Sequence, residues 1–305
     1  AGHDTGARDT GARDTGARDT GARDTGARDT GARDTGARDP GGHDAQTLLC
    51  FYDIDTPVTL RKLAEGDTEY LSAAHIPVFD LYFSFTGGPT LRLLEAHYGA
   101  RAARALYCSV DPEKYHPTGV PRRWALGYLG TYSTDRQPAL ERLLLQPARR
   151  LPHLRFVVAG SMYPADIAWP DNVDRIEHLP PDQHADFYAS LDWALNVTRA
   201  DMLRAGYSPS VRLFEATACG TPVISDPWPG LDTLFEPGRE ILTASDSSAV
   251  ERLLTTPEPL RQEIARAGRR RTLEQHTAAH RAEELETHLR SAAAQAAPPE
   301  QGAVR

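Results

Sequence analysis

The amino-acid sequence predicts an α/β fold of two lobes, each a parallel sheet with helices on its faces, and the N-terminal lobe incomplete. Three observations carry this. Short apolar runs alternate with helical stretches from Thr47 to Leu254, the pattern of strands joined by crossover helices. Residues 206–226 read as a capped helix running straight into a buried strand. Once an N-terminal repeat is set aside, about 260 residues remain, enough for one large or two small cores.

The chain opens on the repeat. From Gly6 the unit Gly-Ala-Arg-Asp-Thr recurs unchanged to Thr35 and closes as Gly-Ala-Arg-Asp-Pro at Pro40. Its five-residue period fits neither helix nor strand, and it holds nothing large and apolar to bury. Residues 1–44 are therefore expected to be disordered, and the perfect repetition suggests expansion of a short tandem DNA repeat or a misplaced start.

The first lobe spans 45–117. Thr47–Tyr52 is an unbroken apolar strand ended by Asp53-Ile-Asp55-Thr-Pro, and Leu60–Glu65 is a short helix. Phe79–Ser84 is the next strand, Gly87-Gly88 opens a helix over Pro89–Tyr98, and Ala105–Ser109 is a third strand. Three strands are half of an ordinary doubly wound domain.

The second lobe, 118–256, is expected to be whole. Its strands are Trp124–Gly130, His153–Gly160, Val173–Leu179, Leu191–Thr198, Thr221–Ser225 and Glu240–Thr243, with helices near 136–149, 181–190, 209–219 and 246–254. Residues 257–305 follow as a helical stretch, Pro257–Ala293, and a frayed tail.

Composition narrows the function classes. A formal net charge of −8 disfavours nonspecific nucleic-acid binding, so any anion must be recognised locally. No apolar run approaches the roughly 18 residues that span a bilayer, and no signal peptide is visible, so the expected compartment is the cytoplasm. Cys50, Cys108 and Cys219 are isolated in apolar settings and read as buried thiols, and the scattered histidines lack metal spacing. No metal site is expected.

The helix over 209–219 holds the candidate ligand site. Ser208 reads as its N-cap, Pro209 suits the first helical position, and Gly220 with Pro222 stops it. A helix start carries unpaired N–H groups and partial positive charge, which suit a phosphate or diphosphate. The hydroxyls of Ser208 and Ser210 sit at that mouth. Arg212 and Glu215, three apart, share roughly one face: the guanidinium can offset diphosphate charge, and the carboxylate can accept both hydroxyl protons of a ribose. A solvent-facing Arg–Glu pair on an amphipathic helix accounts for the same spacing.

Phe-Glu-Ala-Thr-Ala-Cys-Gly-Thr-Pro-Val-Ile-Ser-Asp, residues 214–226, resembles the nucleotide-binding segment in the C-terminal domain of GT-B glycosyltransferases. Ser-Phe-Thr-Gly-Gly-Pro (84–89), Leu-Tyr-Cys-Ser-Val-Asp-Pro (106–112) and Asn-Val-Thr-Arg-Ala-Asp-Met (196–202) are similar to the CgeB-type spore-maturation glycosyltransferase group. The resemblance runs from about Leu48 to about Leu254. It implies a GT-B-like fold of two Rossmann-like lobes, a nucleotide-sugar donor as substrate with no separate cofactor, and transfer to an unknown glycan, protein or small-molecule acceptor without a metal. It also implies that the missing part of the N-terminal lobe would supply much of the acceptor pocket, and that the C-terminal helical stretch packs back across both lobes.

Under this resemblance Gly130 ends the first strand of the donor lobe, and Arg136 stands where the family places a basic residue facing the diphosphate. An arginine can grip phosphate through two parallel hydrogen bonds, although an ordinary first-turn arginine fits the same position. Arg199, after Asn196-Val-Thr198, is a further donor-binding candidate, as is the neighbouring Asp201. The family's additional sugar-contacting glutamate, eight positions before Glu215, is replaced by Tyr207.

Asp53 and Asp55 stand at a strand end that faces the ligand crevice in open α/β sheets. They are the candidate catalytic carboxylates, one acting as general base on the acceptor hydroxyl, with capping of the following helix as the alternative. The same Asp-x-Asp resembles the first motif of haloacid-dehalogenase-type phosphatases, but a later lysine and acidic pair at suitable spacing are missing. A sugar-nucleotide-binding protein without turnover and a GT-B-fold epimerase remain as further alternatives.

Overall fold

The computed structural model describes residues 47–296; the pentapeptide repeat lies outside them. Two parallel sheets organise these residues.

The first sheet has the order β1-β2-β3, formed by β1 (Cys50–Asp53), β2 (Leu81–Ser84) and β3 (Ala103–Ala105). Between β1 and β2 lies α1 (Thr56–Ala64), which starts earlier than the sequence predicts because Asp55 is its N-cap and Pro57 occupies its first turn. Helix α2 (Pro89–Ala96) is entered through Gly88 at φ +58°, a conformation that favours glycine. The third strand differs from the expected 105–109. Pairing ends where the Leu106 amide donates to Ser84 O at 2.8 Å. Leu106, Cys108 and Val110 are buried all the same: Leu106 stays with Leu81 and Phe83 of the first sheet, and Cys108 and Val110 pack into the second lobe as the segment crosses to it. Apolar burial was legible; which backbone would pair was not.

The second sheet holds all six expected strands in the order β6-β5-β4-β7-β8-β9, every pair parallel. They are β4 (Leu126–Leu129), β5 (Phe156–Ala159), β6 (Val173–Ile176), β7 (Ala194–Asn196), β8 (Val223–Ser225) and β9 (Leu242–Thr243). The helix expected over 136–149 is α3 (Gln137–Leu140) and α4 (Gln146–Arg150) joined by a π turn at Glu141–Leu145. Pro147 supplies no N–H to the preceding turn, and the wider turn absorbs that loss. Next come α5 (His184–Ala189), the short α6 (Ala200–Ala205) that the sequence reading missed, α7 (Val211–Ala218) and α8 (Ser247–Leu254). One core, with Phe187, Tyr188, Leu213 and Phe214, fills one face of the sheet; the other face carries Leu143, Leu144, Trp193 and Val250.

The last helical stretch is two helices, α9 (Glu258–Gln275) and α10 (Ala278–Ala296). They part where Val110 N–H donates to His276 O and Ala278 N–H to Val110 O, at 3.1 and 2.9 Å. Helix α9 lies against α7, with Thr217 and Thr272 hydroxyls 2.6 Å apart. Helix α10 returns to the first sheet, where Leu285, Leu289 and Ala292 cover Leu81, Phe83 and Leu106. The three cysteines are free thiols, Cys108 and Cys219 buried and Cys50 half-buried. Among the described residues no helix is long and apolar enough to cross a membrane.

Candidate functional site

The ends of β4, β7 and β8 and the start of α7 meet around Arg212. Helix α7 begins two residues later than expected. Gly206 at φ +65° and Tyr207 at φ +48° turn the chain, and Ser210, extended at φ −85° and ψ 142°, is the N-cap, its hydroxyl accepting from Arg212 N–H at 3.4 Å. Ser208 is therefore not the cap. It is buried, and its hydroxyl accepts from Thr86 Oγ1 of the first lobe at 2.9 Å. The C-terminal stop is as expected, at Gly220 with φ +73°.

Arg212 is 7% exposed, and neutral oxygens hold its guanidinium. Nε donates to Leu129 O at 2.7 Å, and Nη1 to Asn196 Oδ1 at 3.0 Å and Ser210 Oγ at 3.3 Å, while the Tyr128 ring lies 4.6 Å beneath. Among the described residues no carboxylate is within ion-pair distance of it. The solvent-facing Arg212–Glu215 pair, the alternative reading of this spacing, does not form. Glu215 turns to Tyr188, whose hydroxyl donates to Oε2 at 2.9 Å.

Gly130 explains itself in this setting: a Cβ there would stand 2.9 Å from Arg212 Nη2 and 2.6 Å from Tyr128 Oη. At Gly160, φ +145°, a Cβ would stand 2.1 Å from Gly130 O, so the two strand ends approach through backbone alone. Arg136 donates from Nη2 to Thr131 O at 2.8 Å, and its Nε is buried with no acceptor among the described residues. Asn196 binds the network from its other end, donating to Ser225 Oγ at 3.0 Å. Next to it, Thr198 donates to Asp226 from N–H and Oγ1. Burial raises the Asp226 carboxyl, with the Thr198 donors opposing that shift.

The two candidate catalytic carboxylates separate. Asp53 is fully buried: Tyr82 Oη donates to Oδ2 at 2.7 Å, and Thr59 Oγ1 and Asp55 N–H each to Oδ1 at 3.1 Å. So enclosed, the Asp53 carboxylate faces these three donors and not an open cleft. It fastens β1 and α1 to β2. Asp55 is partly exposed at the junction of the lobes, 3.1 Å from Arg199 Nη1. Arg199 also lies 3.8 Å from Asp135 and so links the lobes. Asp201 is taken up by Arg61 of α1, at 3.2 Å, and by Arg204.

Tyr207 completes the junction. Its ring lies between Gly88 and Gly230, where added Cβ atoms would each come within 2.4 Å of it, and Gly87 N–H donates to its carbonyl at 2.9 Å. Sequence reasoning also missed Tyr188, Tyr128 and Asp226. Their partners lie 27 to 84 residues away or in another strand, so no local pattern marks them.

A family model described as glycosyl transferase-like matches residues 136–287. D-inositol 3-phosphate glycosyltransferases of Mycobacterium sp. strains KMS and JLS are each 32% identical over 132 residues, 39% of this chain and 28% of theirs. The chain thus spans 28% of the length of these curated relatives. Among solved structures, sucrose-phosphate synthase from Thermosynechococcus elongatus superposes with a TM-score of 0.60 at 15% identity, covering 82% of this chain and 68% of that one. HepE from Anabaena, in complex with UDP and glucose, gives 0.59 at 14% identity over 80% and 71%. Residues 136–287 thus resemble the glycosyl transferase-like family, and the fold of the chain, α/β with parallel sheets, is that of its GT-B structural neighbours.

Proposed function

We propose that the chain is a CgeB-type glycosyltransferase that takes a nucleotide-sugar donor at the start of α7 and transfers its sugar to an acceptor hydroxyl without a metal. The observation that carries this is Arg212, a buried cation at a helix start, held by neutral oxygens and with no carboxylate counter-ion among the described residues. Burying an unneutralised charge is costly, and an anion at that mouth offsets the cost. Arg136, whose Nε has no acceptor among the described residues, lies with Arg212 within electrostatic reach of the Tyr163 phenol. HepE, a structural neighbour, is known in complex with UDP and with UDP-glucose.

On this reading the diphosphate sits on the Ser210 helix start between Arg212 and Arg136, and the ribose hydroxyls donate to Glu215. As the glycosidic bond lengthens, negative charge grows on the leaving diphosphate, and fixed guanidinium and amide donors stabilise it without reorganising. Asp55, at the lobe junction, is the carboxylate that can meet an acceptor. Titration calorimetry with a panel of UDP- and GDP-sugars tests the donor site. Wild type binds at least one, and Glu215→Ala loses that binding; equal affinity of the variant would remove the assignment.

The burial of Asp53 favours a second reading, binding without turnover, since it leaves Asp55 as the remaining candidate base and ties that group to Arg199. Acceptor-dependent release of free nucleotide separates the two.

A further inference from the structure

The carboxylate of Glu215 is held by phenols rather than by a cation. Tyr188 is 1% exposed, and its ring stands edge-on to Phe187 at 5.7 Å. Its carbonyl accepts from Thr221 Oγ1 at 2.6 Å and from Leu191 N–H at 3.1 Å, which pins α5 to the segment leaving α7. A buried phenol needs an acceptor, and among the described residues Glu215 Oε2 at 2.9 Å is the one it has. From the segment that joins the lobes, the half-buried Tyr115 brings a second phenol to the same carboxylate, its hydroxyl 3.3 Å from His184 Nδ1. Burial and the charge of Glu215 push the Tyr188 phenol well above its ordinary range, so it stays a donor.

We infer that Tyr188, with Tyr115 behind it, is a positioning residue that orients Glu215 toward a ribose diol and so gives the site its preference for ribonucleotides. This rests on the donor site proposed above. A glutamate on a helix surface samples several rotamers. One hydrogen bond from an immobile ring removes that freedom while leaving the negative charge in place, which an arginine partner would largely cancel. Helix α7 agrees with this division: Arg212 is turned to the strand ends and away from Glu215.

The test compares UDP with 2′,3′-dideoxy-UDP, which lacks the diol and keeps the diphosphate. Wild type prefers UDP. Tyr188→Phe, folded by its thermal melt, loses roughly tenfold of that preference, the order expected for one hydrogen bond to a charged group, while its affinity for the dideoxy analogue is unchanged. A merely structural role would weaken both nucleotides alike, and that result, or an unchanged preference, overturns the inference. If Tyr188→Phe does not fold, Tyr115→Phe is measured the same way, and an unchanged preference there overturns it equally. Wild type that binds UDP and its dideoxy analogue equally would instead remove the ribose role of Glu215, and this inference with it.

Discussion

Asp53 accepts three hydrogen bonds in a pocket closed to water, and two of its donors, Tyr82 and Thr59, belong to other elements. Replacing it with alanine leaves those donors unpaired, and buried unpaired donors each cost about 1–3 kcal/mol. Asp53→Ala should therefore lose about 3 kcal/mol or more in urea unfolding, with the effect centred on the first sheet; a loss below about 1 kcal/mol would contradict the buried assignment. The sequence marked this position but not its role, because the Asp-x-Asp spacing is the same whether the first carboxylate faces a cleft or a core. Asp55 and Arg212 show the converse. Their residue types were informative, but their partners, Arg199 and Asn196, come from the β7 strand end and the residues that follow it.

At the scale of elements, helix ends were legible where a single residue type decides them. Gly220, at φ +73°, ends α7 as a glycine should. The start of the same helix was misplaced because both Ser208 and Ser210 can cap, and the turn at Gly206 and Tyr207 chooses between them. The elbow between α9 and α10 carries a prediction of its own. His276 is 5% exposed, faces Leu234 O through Nε2 at 3.1 Å and accepts from Arg281 Nη2 at its other nitrogen at 2.8 Å. Burial, with the charges of Arg281, Arg271 and His280 adding to it, lowers its pKa from 6.5 to about 4. The unfolded chain thus binds this proton first as pH falls, so stability is lost between pH 6.5 and about 4. From pH 7 to pH 5 the loss is about 2 kcal/mol. Urea melts of wild type and His276→Phe at both pH values measure it as a difference; equal pH dependence in the two proteins would contradict it.

At the scale of the whole molecule, the lobes meet through a dense seam. Thr86 donates to Ser208, Gly87 to Tyr207 O, and Arg61 and Asp55 pair with Asp201 and Arg199. The Tyr207 ring packs between glycines from both sides. Helix α10 closes the first sheet from behind, so its three strands gain a cover that begins about 170 residues further along the chain. Alternating apolar runs made both sheets readable in the sequence, since burial of a parallel strand leaves a local mark. The seam left none, because each of its contacts joins residues far apart in sequence.

The proposed function depends on an anion binding at the start of α7, where the Arg212 guanidinium meets Ser210. A structure of the full chain with UDP is the most direct measurement. The diphosphate is expected within hydrogen-bond distance of the Arg212 guanidinium and the first α7 amides, with the ribose hydroxyls on Glu215. UDP bound elsewhere, with Arg212 and Glu215 keeping only their present protein partners, would contradict it.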